Sequence, residues 1–86
     1  MGVWIFSGDE GRFPGGAFSS RELAEAWIAK HSLSGVLTLY PLDIGVYEWA
    51  VSRGTYDSSK AVNPRLIGSF SSAYQDHYHY TDGKHA

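Results

Sequence analysis

A strand that meets a turn-dense return is the feature that most limits how this chain can fold. Val3-Trp4-Ile5-Phe6 is a β-branched and aromatic run closed by Ser7-Gly8. Gly8 to Gly16 (GDEGRFPGG) then packs four glycines and a proline into nine residues, and the short pair Ala17-Phe18 follows. The spacing predicts a hairpin with its tip in the glycine stretch, so the front of the sheet is antiparallel.

A helix start comes next. Ser19 is followed three residues later by Glu22, the capping-box spacing, with Phe18 and Leu23 as the apolar staple around it. Leu23, Ala24, Trp27, Ile28 and His31 keep an i, i+3, i+4 rhythm, and Arg21, Glu22, Glu25 and Lys30 fall outside that stripe. GVLTLYP alternates Val36, Thr38 and Tyr40 against Leu37 and Leu39, a strand that Pro41 stops. Asp43 is placed to cap a second helix from Ile44 to about Arg53, with Gly54 at the C′ position. Thr55 to Pro64 is polar and aperiodic and reads as a surface loop. RLIGSF, Arg65 to Phe70, reads as a strand with a bulge at Gly68, DHYHY, Asp76 to Tyr80, as the last strand, and Thr81 to Ala86 as a frayed tail. The order β-β-α-β-α-β-β predicts a single α+β domain over residues 1–86: a mostly antiparallel sheet of four to five strands with two helices on one face.

Composition narrows the function. Eighty-six residues hold one core, burying about 60–65% of the unfolded chain's surface. A formal charge of -2, with seven Lys and Arg scattered along the chain, leaves no basic footprint, so nucleic acid is not an expected partner. The absence of cysteine excludes disulfides, thiolate nucleophiles and cysteine-ligated zinc. No apolar run approaches the ~20 residues of a membrane span and no signal-peptide pattern opens the chain, so the expected setting is cytoplasmic, away from the membrane.

Two of the four histidines stand one residue apart. On a strand, His77 and His79 project to one face while Tyr78 and Tyr80 project to the other. Such a pair holds a metal once a third ligand joins, and Asp76, Asp82, His85 and His31 are the nearest ligand types; base rates favour two histidines on the solvent side of an edge strand. The carboxylate pairs Asp9 with Glu10 and Asp43 with Glu48 have plainer uses, in a turn and at a helix cap. No G-x-S-x-G elbow is present, and the glycine stretch fits neither the dinucleotide nor the P-loop spacing. No cofactor is expected, and a small metal-dependent or acid/base enzyme built on His77 and His79 stands as the second functional reading.

The leading reading comes from the rings. Three Trp, six Tyr and four Phe make 15% of the chain, more than so small a core encloses comfortably. Around the second helix only Glu48, Ser52 and Arg53 are polar, so it needs cover on more than one side. Tyr74, Tyr78 and Tyr80 of the tail are available to lie on it, or another chain supplies the cover. A noncatalytic module that binds a protein partner or itself is therefore expected, with Tyr47, Trp49 and Arg53 of the helix, Arg12 and Phe13 of the front loop, and Tyr74 and Tyr78 of the tail as its surface.

VWIFSGDEGRFPGGAFSS, YPLDIGVYEWA and HYHYTDG together resemble a family of small, mostly bacterial stand-alone domains with no assigned function. The likeness covers nearly the whole chain, with Thr55 to Pro64 as the segment expected to differ. It implies a bacterial cytoplasmic setting and brings no catalytic or binding residue with it.

Overall fold

β1 (Gly2–Gly8) and β3 (Gly35–Pro41) pair antiparallel along their whole length, from Gly2 opposite Pro41 to Gly8 opposite Gly35. Both are β-branched and aromatic runs, the composition that favours a pleated, half-covered surface. The structure, a computed structural model, describes residues 2–86. β2 (Gly16–Phe18) returns along the outer side of β1, as the glycine-dense turn predicts. β4 (His77–Thr81) adds beyond β3 and β5 (Lys84–His85) closes the series, giving a five-stranded antiparallel sheet of order β2-β1-β3-β4-β5. β2 and β3 run the same way on either side of β1, so the helix joining them, α1 (Arg21–Lys30), must cross one face of the sheet.

That face holds the core. Phe6, Ala24, Ile28, Leu37 and Tyr80 are buried together, with Trp4, Phe18, Trp27, Leu33 and Tyr78 packed around them. Trp27 bridges the layers, edge-on to Phe6 at 5.6 Å between ring centroids and tilted against Phe18 at 5.3 Å. By strand alternation Val3, Ile5, Val36, Thr38, Tyr40, His77 and His79 lie on the opposite face. α2 (Val46–Ser52) packs beside β3, and neither it nor α3 (Pro64–Gly68) adds to the main core: Ala50 is the only buried residue of α2, and α3 has none.

Several expectations are corrected. α1 is capped by Ser20, whose Oγ accepts from the Leu23 backbone N–H at 3.2 Å, and not by a Ser19–Glu22 box. The one-residue shift turns Leu23 outward, 58% exposed, and leaves His31 exposed at the C-cap, while Arg21 and Glu25 lean over the sheet. α2 starts at Val46 behind Gly45, because Asp43 sits at φ 60° in a turn and caps nothing. Arg65 to Phe70 is not a strand: Asn63 caps a short helix by accepting from Leu66 N–H at 2.8 Å, and Pro64 occupies its first turn. Within the tail, Asp82 (φ 50°) and Gly83 (φ 86°) form a two-residue turn that leads into β5. Finally, Tyr78 and Tyr80 pack under α1 and do not wrap the second helix.

Candidate functional site

The side chain that organises the site is Gln75, the one buried polar side chain among the described residues and only 3% exposed. Its Nε2 donates to the Leu39 carbonyl at 3.2 Å and its Oε1 accepts from Ser72 N–H at 3.0 Å. Leu39 N–H also donates to the Asp76 carbonyl at 2.9 Å. These satisfied contacts tie the irregular segment 71–76 to β3.

With that segment in place, Tyr74 comes to lie across from the end of α2. A cleft of about 160 Å³ opens between them, walled by Trp49, Arg53 and Tyr74 and floored by Leu39, Tyr40, Pro41, Gln75 and Asp76. The Arg53 guanidinium carbon stands 4.9 Å from the centroid of Trp49, a cation–π arrangement at the mouth of the cleft. Arg53 is placed there as the C-cap of α2, where Gly54 at φ 73° lets the chain turn away. Tyr74 is 71% exposed.

A second hollow, of about 370 Å³, lies over the sheet face opposite α1. It shares Tyr40 and Gln75 with the first and continues past Val36, Thr38 and His77, with Ser71, Ser72 and Ala73 as its far wall. His77 is held at its edge by a 2.7 Å contact between Nδ1 and the Gln75 carbonyl. The His77 and His79 rings are 5.6 Å apart and both side chains are exposed.

Of the seven predicted partner residues, the cleft gathers three: Trp49, Arg53 and Tyr74. Tyr47 belongs to a separate aromatic triad with Tyr56 and Phe70, at 5.8 and 5.6 Å from them. Tyr78 lies on the other face of the sheet, with the Arg21 guanidinium carbon 3.5 Å from its ring centroid. Arg12 and Phe13 sit in the β1–β2 loop, beside Gly8 and thus at the opposite end of the strands from Pro41. Sequence reading did not assign Tyr40, Gln75 or Asp76 to a partner surface, and named Asp76 only as a possible metal ligand. Tyr40 was recoverable, because alternation along β3 puts it with Val36 and Thr38; Gln75 carried no pattern at all.

Under α1 the polar contacts are structural. Tyr80 donates to Glu25 Oε2 at 2.6 Å, and Arg21 Nε donates to the same oxygen at 3.1 Å. Burial, and then the hydrogen bond to Glu25, push the Tyr80 phenol up from 10.0 to about 12. The Tyr80 hydroxyl, working against burial and aided by Arg21, holds the Glu25 carboxyl below its ordinary range. Among the described residues no three His, Asp or Glu side chains converge as a metal-holding group, and no helix is long and apolar enough to cross a membrane.

Five antiparallel strands, one crossing helix and a cleft between a helix end and an anchored loop define a small α+β domain. The chain belongs to the family described as domain of unknown function DUF7710, whose model matches residues 3–86. No curated protein and no solved structure matches it.

Proposed function

We propose that the chain is a noncatalytic protein-binding module whose contact surface is the cleft between α2 and segment 71–76. The observation that carries this reading is the convergence of Trp49, Arg53 and Tyr74, from two segments far apart in sequence, on one concave site. Trp, Tyr and Arg are the side chains on which interface energy concentrates, since each offers large, partly rigid area together with a polar end. Arg53 takes part in no ion pair among the described residues, and Asp76 stands on the same cleft, so a partner presenting a carboxylate near Trp49 and a donor near Asp76 would be complemented. A cytoplasmic setting suits a chain without cysteine.

The surface is open to test with R53A and Y74A, both exposed positions whose loss should leave thermal unfolding unchanged. A partner retained by the wild-type chain at micromolar concentration, in trans or as a second copy seen by sedimentation, should be lost by about 2 kcal/mol or more with R53A. Equal retention by wild type, R53A and Y74A would refute the assignment of this cleft.

A further inference from the structure

The His77–His79 pair lies outside the cleft and takes no part in the core. We propose that these two imidazoles form a bidentate clip for a borderline divalent ion of the zinc, nickel or copper type. Their separation fits: with a metal–nitrogen distance of ~2.1 Å, an ion on the axes of two imidazoles lies about 3.2 Å from each centroid, so a tetrahedral angle places the centroids about 5.2 Å apart. The rings stand 5.6 Å apart and nearly perpendicular, close to that separation. Strand geometry maintains this, because residues two apart on β4 project from the same face and β4 is tied to β3 through His77 opposite Thr38 and His79 opposite Val36.

The second observation concerns protonation. The Gln75 carbonyl only accepts, so the 2.7 Å contact places a proton on Nδ1 of His77, and in the neutral imidazole Nε2 is then the nitrogen that keeps a lone pair. A backbone carbonyl fixing the tautomer of a ligating histidine is the usual arrangement behind metal-bound imidazoles. Here that carbonyl belongs to the residue whose side chain is doubly hydrogen-bonded and buried, so it is rigid. No third protein ligand stands with the pair among the described residues, so water completes the coordination and the ion exchanges readily.

The test is a titration of tag-free protein with nickel chloride, followed calorimetrically, alongside H77A, H79A and the control H31A. The clip predicts one ion per chain, weakening by about tenfold or more in each of H77A and H79A because each removes the chelate, and unchanged affinity in H31A. Independently, substoichiometric copper(II) should broaden amide resonances of His77, His79 and their cross-strand neighbours Val36 and Thr38 first. Nickel affinity equal in wild type and H77A, or broadening centred on His31 or His85, would overturn the proposal. So would an absence of binding at millimolar metal.

Discussion

Tyr80 carries two unlike duties, burying its ring beside Phe6, Ile28 and Leu37 while placing its hydroxyl 2.6 Å from Glu25. Substituting Tyr80→Phe keeps the ring and leaves the Glu25 carboxylate to Arg21 alone, and should cost about 1–2 kcal/mol at neutral pH by urea denaturation. The pH profile identifies the contact. A carboxyl held below 4.5 contributes stability above that value and loses it as acid protonates the folded state. A phenol raised from 10.0 to about 12 contributes stability that is intact below pH 10 and disappears as pH rises towards 12. Wild-type stability should therefore fall on both flanks, and Y80F should flatten both. Alternation along DHYHY was enough to send Tyr80 inward and His77 and His79 outward. The Glu25 partner was not legible, because it lies 55 residues away and its place on α1 depends on a cap shifted by one residue.

At the level of elements, two glycines give opposite forecasts. Gly83 stands at φ 86°, and a Cβ there would meet Ser32 Cα at 3.1 Å and Ala29 Cα at 3.2 Å, both backbone. G83A should destabilise by about 1–3 kcal/mol, combining left-handed strain with that crowding, and loosen the β4–β5 hairpin as seen in the amide shifts of Lys84 and His85. Gly68 ends α3 with open space around it, so G68A should stabilise by about 0.5–1 kcal/mol through helix propensity. Both sites carry a local signal that is passed over, at Asp82-Gly83 because the segment is terminal and at Asn63-Pro64 because the apolar run after it reads as a strand. Asp82-Gly83 is a hairpin dipeptide, and Asn63-Pro64 is a helix start; the short apolar pair Leu66-Ile67 fits a strand or a helix turn equally well. The front hairpin, α1 and β3 were legible because each joins a pattern to a terminator.

The whole molecule is longer than its chain length alone would give. Its radius of gyration is 14.0 Å, against about 12 Å for a near-spherical domain of 86 residues. The excess fits a segment of the chain, from α2 to Phe70, that gathers around its own triad of Tyr47, Tyr56 and Phe70, apart from the main core. Amide exchange should accordingly be slowest in β1, β3 and the Ala24–Ile28 turn of α1, and faster by tenfold or more, roughly 1.4 kcal/mol, across 46–68. No feature of the sequence declares such a division, since the aromatic residues of both clusters look alike until their neighbours are known.

The outermost strands of the sheet are its shortest, β2 with three residues and β5 with two. An incoming polypeptide thus meets almost no rail of free amide and carbonyl groups on which to align, and cross-β growth has no template while the hairpins stay closed. Concentrated solutions should keep thioflavin fluorescence flat below the unfolding transition, and contacts between molecules should run through side chains and not through added strands.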